Sequence, residues 1–283
     1  MPGLRYRRRR RARRTVRWGE NDLDGLRVER DDGVVTLTIE RPERKNAITN
    51  EMWRGLVEIF DDLATRRDDR VLVITGAGDA FCSGADLSAA ADGGAPTGAG
   101  ASVASMRIVG RAALRLHELP LPTIAAVNGV AAGAGCNLAL GCDLIVASDR
   151  ARFTEIFVKR GLALDFGGSW LLPRLIGLHR AKELAFLADI IDATEAERIG
   201  LVNRVVPHDR LVAEVGALAA RLAGMPPLQL SVIKRQLNDS MSHTMAEALE
   251  LEDVAQALMF SSRDTAEAMI AFAEKREPRF TGE

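Results

Sequence analysis

No apolar run in the chain approaches the roughly 18 residues that a membrane-crossing helix needs, so a helical membrane protein is not expected. Cysteine is scarce as well: Cys82, Cys136 and Cys142 are three, an odd number, and they lack metal-ligand spacing. That usage suits reduced, buried thiols in a reducing compartment, and the cytoplasm is the expected location. The four histidines, His117, His179, His208 and His243, lie far apart and away from carboxylates or cysteines at ligand spacing, so no metal site is expected. Nucleotide signatures are missing too. The pair Gly76 and Gly78 is followed by Phe81, and Gly133 and Gly135 by Leu138, where a third glycine would have to stand, and there is no P-loop lysine. The absence of G-x-S-x-G leaves serine-hydrolase chemistry unsupported.

What is present begins with a charge asymmetry. The net charge is −1, yet residues 1–17 contain nine arginines and no acid, leaving 29 basic against 39 acidic groups in the rest. A like-charge block of this kind cannot bury apolar surface, so residues 1–19 are expected to form a basic disordered tail. Such a tail can bind nucleic acid or an anionic membrane surface, resemble a transit peptide in lacking acids, or be an upstream extension with no role. The sequence leaves these alternatives open.

Along the body, Val35, Leu37 and Ile39 alternate with threonines, the period of a half-buried strand. Thr49 or Asn50 can cap a helix carrying Met52, Trp53, Leu56, Ile59, Phe60 and Leu63 at helical spacing, and the strand VLVIT follows. The small and Gly/Pro-rich residues 89–101 read as a mobile loop, then a helix runs through Met106 to Leu119. The strand TIAAVNG, a helix over 133–140 and the strand DLIVAS repeat the alternation of strand and helix. Thr194 and Glu197 form a capping box in outline, Met241 to Phe260 reads as one long amphipathic helix, and Asp264 with Glu267 caps the last helix. From about Leu211 only helices are expected. This divides the chain into the tail (1–19), a core (20–210) and a helical C-terminal region (211–283).

The most informative stretch is residues 127–168. It opens on Gly129, Ala131, Ala132, Gly133, Ala134 and Gly135 and closes on Asp165 among Leu162, Leu164 and Phe166. Small residues let a ligand approach the main chain, and a helix starting there aims free N–H groups at it. The expectation is an anion hole facing one acid/base.

FCSGADL, NGVAAGAGCNLAL, GLALDFGGSWLLPRLIG, GLVNRVV and FAEKREPRFTG, in this order, resemble the crotonase, or enoyl-CoA hydratase/isomerase, superfamily. The resemblance implies an α/β fold, a spiral of ββα turns with a C-terminal helical region that builds trimers or dimers of trimers. It also implies acyl-CoA substrates and no separate cofactor, coenzyme A being part of the substrate. Carried over by position, the oxyanion donors are the N–H groups of Ala85 and Ala134, flanked by Ser83, Gly84, Asp86, Leu87, Gly133 and Gly135. The two glutamates of the hydratases fall on Asn137 and Phe157, so both carboxylates are missing. Glu155, two residues before Phe157, is expected at the surface. Asp165 stands where isomerases of the family carry their acid/base, with a helix N-cap as its plain alternative. Phe157, Leu162, Leu164, Phe166 and Trp170 would desolvate it and raise its pKa.

The resemblance also places CoA along Arg44, Lys45, Asn46 and Ala47, with Phe272 and Lys275 near the adenine; for both lysines a plain solvated charge is the alternative. Arene dehalogenases of the superfamily put a nucleophilic aspartate at the same position but need a histidine on the preceding helix, where His117 comes too late. The wording is most similar to the branch of ring-opening 1,2-epoxyphenylacetyl-CoA isomerases, and a Δ3,Δ2-enoyl-CoA isomerase uses the same acid. The expected activity is therefore acyl-CoA isomerisation through an enolate. The competing readings are a divergent hydratase using Glu155 or a bound water, and an RNA- or membrane-associated protein with a catalytically reduced core.

Overall fold

The computed structural model describes residues 24–88 and 98–283. The expected tail and most of the expected mobile loop lie outside the described residues. Among those described, ten strands and six α-helices alternate through the first three quarters, after which four further α-helices follow.

Strands β1 (Leu26–Asp31) and β2 (Val34–Ile39) form an antiparallel hairpin, and α1 (Asn50–Leu63) follows with Thr49 accepting from Met52 N–H as its cap. Met52, Trp53, Leu56, Ile59, Phe60 and Leu63 share the buried side of α1, as their spacing requires. β3 (Val71–Gly76) leads into the three-residue β4 (Ala80–Cys82), and α2 (Ala99–His117) packs along α1. β5 (Thr123–Val127), β6 (Val130–Ala132) and α3 (Ala134–Leu140) make the next turn. β7 (Leu144–Ser148) and β8 (Arg152–Thr154) begin a third, which ends in the 3₁₀ turn Ile156–Arg160, α4 (Gly168–Ile176) and α5 (Leu178–Leu187). β9 (Ile191–Asp192), α6 (Ala193–Arg198) and β10 (Arg204–Val206) close the body.

The main sheet runs β1-β2-β3-β5-β7-β10, parallel from β2 onward, and a second sheet runs β4-β6-β8-β9. Each turn of the chain therefore steps from the main sheet to the small sheet and on to helix. Because β4, β6 and β8 are parallel neighbours, the residues just past their C-terminal ends lie side by side. Those residues are 83–86, 133–135 and 155–157.

One face of the main sheet is buried against α1, α2 and α3, and the other packs Val71, Val73, Ile124 and Val146 on α7 (Leu211–Ala223) through Leu211, Val215 and Ala219. The first helix of the C-terminal region thus completes the core of the sheet. The helices beyond it are α8 (Pro227–Ser240), α9 (Met245–Met259) and α10 (Arg263–Glu274).

Four local expectations need correction. The helix expected over 241–260 starts later: the chain turns at 241–243, and Thr244 with Glu247 forms a true capping box that starts the single helix α9. The cap of α6 is Asp192, which accepts from Glu195 N–H, while Glu197 reaches Val205 N–H instead. The cap of α10 is Ser262, and Asp264 is buried, accepting from the N–H groups of Thr281 and Gly282 to tie down the C-terminus. Finally, α2 begins at Ala99, so residues 99–101 belong to a helix rather than a loop. No single helix among the described residues is long and apolar enough to cross a membrane.

Candidate active site

The site lies past the ends of the three parallel strands of the small sheet. The loop after β4 runs beside the chain at Ile48: Ile48 N–H donates to Gly84 C=O at 2.8 Å and Asp86 N–H to Ile48 C=O at 2.9 Å. In a parallel bridge of this pattern the residue between the two bonded ones turns its own N–H to the other side. That residue is Ala85. Gly84 is at φ 99°, and a Cβ there would sit 2.9 Å from Ala132 O and 3.5 Å from Ala134 N, so the loop lies directly against the start of α3. Ala134 is the first residue of that helix, and its N–H has no intrahelical partner. The approach is tighter still at Gly135, where a Cβ would lie 2.2 Å from Cys82 O, a distance no side chain can occupy. Only glycine at 84 and 135 brings the two segments together.

The loop is clamped from behind. Arg41 Nη1 donates to Asp86 at 2.9 Å and to Ala47 C=O, and Ser88 donates to the same carboxyl. The Ser88 donors, with Arg41 adding to them, hold Asp86 down at a pKa of about 2. Ser83 N–H donates to Lys45 C=O. Asn46 is fully buried, its amide spanning Arg41 N–H, Ala77 C=O and Ala80 C=O, so that side chain serves the scaffold and is not available to a ligand. Lys45 is exposed and paired with Asp79 at 2.6 Å. Ala47 is buried and Leu87 is exposed.

The third strand end supplies the side chains. Phe157 is buried, its ring 3.6 Å from where a Cβ of Gly133 would stand, so an aromatic edge rather than a carboxylate borders the start of α3. Asn137 is fully buried on α3. Its Nδ2 donates to Asp165 C=O at 2.9 Å and reaches Glu155 Oε2 at 3.4 Å. Gly168 passes so close that a Cβ would be 2.4 Å from that amide nitrogen.

Asp165 does not cap α4. The cap position is Gly167, and it is the main-chain carbonyl of Asp165 that accepts from Gly168 N–H. Its carboxyl has a buried Oδ1 without a hydrogen-bond partner, and burial raises its pKa to about 6. The next residue, Phe166, takes φ 46° in the left-handed region and is held there against buried Trp53, with ring centroids 5.3 Å apart. Backbone strain of this kind is worth about 1–3 kcal/mol and persists where packing enforces it.

Of the expected desolvating neighbours, Phe157 and Phe166 are buried and Leu164 half-buried. Leu162 and Trp170 are exposed, Trp170 resting on Arg174 and edge-on to His117.

The clearest correction concerns Glu155. It is 1% exposed, not a surface residue. Burial, with the nearby Asp165 charge adding to it, lifts its pKa to about 7, and burial together with Glu155 keeps the Cys136 thiol protonated. The signal was present in the sequence, since Ala151, Phe153, Glu155 and Phe157 fall on one parity and all four are buried. All three cysteines are buried and free. No cluster of metal-ligating groups occurs among the described residues. Phe272, 85% exposed on α10, and Lys275, its left-handed C-cap, share no hydrogen bond, ion pair or ring contact with the loop 44–47.

The model of the family described as enoyl-CoA hydratase/isomerase matches residues 29–283. The chain belongs to that family. Its members act on acyl-CoA substrates. The 1,2-epoxyphenylacetyl-CoA isomerase of Escherichia coli (strain K12) is 42% identical over 257 residues, covering 89% of this chain and 96% of that one. The crotonyl-CoA hydratase of Syntrophomonas wolfei is 37% identical over 262 residues, covering 91% and 98%. Among solved structures, an enoyl-CoA hydratase from Bacillus anthracis superposes with a TM-score of 0.86 at 30% identity, covering 92% of this chain and all of its own. The α/β spiral is thus the fold of an enoyl-CoA hydratase/isomerase, and relatives bearing isomerase and hydratase names stand at comparable distances.

Proposed function

We propose that this enoyl-CoA hydratase/isomerase works as an isomerase, moving a proton within an unsaturated or ring-opened acyl-CoA thioester through an enolate. The N–H groups of Ala85 and Ala134 receive the thioester oxygen as charge develops on it, each worth about 3–4 kcal/mol of barrier by analogy with other oxyanion holes. Asp165 removes the proton and returns it elsewhere on the same acyl chain. One observation carries the reading: Asp165 presents a buried, unpartnered carboxyl oxygen, while the two positions where hydratases of the family carry glutamate hold Asn137 and Phe157. One carboxylate is enough to move a proton, whereas adding water needs one group to activate the water and another to deliver the α-proton. The raised pKa of Asp165 brings its conjugate acid closer to the affinity a proton shuttle requires.

CoA is placed along the loop at Lys45 and Ala47, as the family resemblance implies, with Phe272 and Lys275 contributing from the C-terminal helices. A homotrimer, or a dimer of trimers, belongs to the same reading and is supported by the apolar residues left exposed on those helices, among them Leu237, Met245, Val254 and Phe260. A soluble cytoplasmic enzyme is the matching location.

Purified protein is to be assayed against 3-hexenoyl-CoA, epoxyphenylacetyl-CoA and crotonyl-CoA. Turnover of either of the first two is expected, and Asp165→Asn should lower kcat by about 10²–10⁴-fold while CoA binding persists. Unchanged turnover in that variant would remove the assignment. The second reading, a hydratase, is favoured by one observation, the burial of Glu155 near Asp165. It predicts hydration of crotonyl-CoA that Glu155→Gln abolishes.

A further inference from the structure

Among the described residues, Glu155 is the one buried carboxyl near the site to which the proton shuttle assigns no task. It follows β8 directly, at the strand end where the neighbouring turns of the spiral place Ser83 and Gly133. The groups that face it are Cys136 and Asn137 from α3 and Asp165 from the segment before α4, with no cation among them within the described residues. Its Oε2 meets the Asn137 amide, whose nitrogen also holds the Asp165 carbonyl, and its Oε1 is buried without a partner.

Asn137 cannot shift freely. Gly168 lies so near its amide that a Cβ there would overlap it, and the carbonyl it holds belongs to the residue just before the strained Phe166. We propose that Glu155 is a positioning residue for Asp165, fixing through the Asn137 amide the main-chain carbonyl that decides where the Asp165 carboxyl points. The inference rests on the reading of Asp165 as the acid/base and adds a second carboxyl that touches no reacting atom.

The protonation state follows from the surroundings. A charge on Glu155 would be buried without a countercharge and beside a second carboxylate, an arrangement that desolvation and like-charge repulsion both disfavour. Asp165 therefore gives up its proton first and Glu155 keeps its own. The working state has Asp165 ionised and Glu155 neutral. On the alkaline side Glu155 ionises, draws the Asn137 amide and solvent toward itself, and loosens the hold on Asp165.

Three variants of the full-length protein, assayed by isomerisation across pH 5 to 9, test this. Glu155→Gln preserves the shape and neutrality of the side chain. It is expected to keep kcat within about threefold of the parent near neutral pH and to lack the parent's alkaline fall. Glu155→Ala leaves Asn137 without its second contact, and kcat is expected to fall about tenfold or more at unchanged KM. Asp165→Asn serves as the control on the underlying reading.

An alkaline limb in Glu155→Gln identical to the parent's would overturn the proposal, as would wild-type kcat in folded Glu155→Ala. If the alanine variant does not fold, the pH profile of the glutamine variant decides alone. An active Asp165→Asn sinks the proposed function itself. An inactive one beside unaffected Glu155 variants sinks only the positioning role.

Discussion

The two halves of the site are built from different materials. The proposed oxyanion half consists of main-chain N–H groups at Ala85 and Ala134, whose side chains contribute nothing but smallness. The acid half consists of side chains, Asn137, Glu155 and Asp165, packed among apolar groups with three of their oxygens lacking partners. The first is fixed by backbone contacts that admit no Cβ, the second by desolvation that makes charge expensive. The first should therefore fail by steric overlap and the second by neutralisation.

The largest effect is expected where the backbone half is tightest. Gly135→Ala would force a methyl to 2.2 Å from Cys82 O, so the loop after β4 and the start of α3 must part. Overpacking of this severity costs about 3 kcal/mol or more. A large fall in Tm or loss of soluble protein is expected, and any folded fraction should be inactive. Gly110→Ala is the internal control: it lies exposed on α2 with nothing within 4 Å of its added Cβ. It should stabilise by about 0.5–1 kcal/mol through helix propensity alone. If Gly135→Ala melted and turned over like the parent, the backbone half would not be fixed by close contact.

The difference between the halves also governs what the sequence could reveal. Gly84, Gly133 and Gly135 announce a main-chain surface because glycine has few other uses at such density. Their meaning survives without knowing which strands are neighbours. The spiral itself was readable only through motif order, since β4, β6 and β8 have three residues each, too few to show a period. Asp165 stood out for its apolar company. Glu155 did not, because its burial depends on β8 lying beside β6 and on the 3₁₀ turn that follows. The strand parity of residues 151–157 pointed inward, but a lone glutamate on an irregular segment more often faces water. The helix caps failed similarly: Asp264 and Glu267 fit a capping pattern, yet tertiary partners at the C-terminus claim both.

An intermediate effect tests the acid half through pH. Asp165 must be ionised to act as base, so kcat/KM should rise with pH along an acid limb centred near 6, the point to which burial raises its pKa, before the alkaline fall assigned to Glu155. Stability should run the opposite way. A carboxyl whose folded pKa lies above its unfolded value favours folding fully below the unfolded pKa, and that contribution is lost as pH climbs through the folded pKa. Asp165→Asn should therefore be more stable than the parent at pH 7.5, by on the order of 1–2 kcal/mol, with the gain vanishing near pH 4. Denaturant unfolding at the two pH values is the measurement. A variant no more stable at pH 7.5 than at pH 4, relative to the parent, would mean that the carboxyl is not desolvated and that the two halves do not differ as described.

The smallest effect belongs to the rim, where neither device operates. Lys45 sits at left-handed φ beside buried Asn46, so the loop's course is set by the Asn46 amide and the Ser83 N–H to Lys45 C=O bond, not by the ammonium. Its pair with Asp79 is exposed on both sides, and such pairs add little to folding. Lys45→Ala should leave Tm and kcat unchanged. Its expected effect is confined to KM, about a threefold rise at low salt that fades as ionic strength increases, because an exposed charge acts on the CoA phosphates only through a screened field. A fall in kcat instead would mean that Lys45 reaches inward to the oxyanion loop through Ser83, making the rim part of the backbone half.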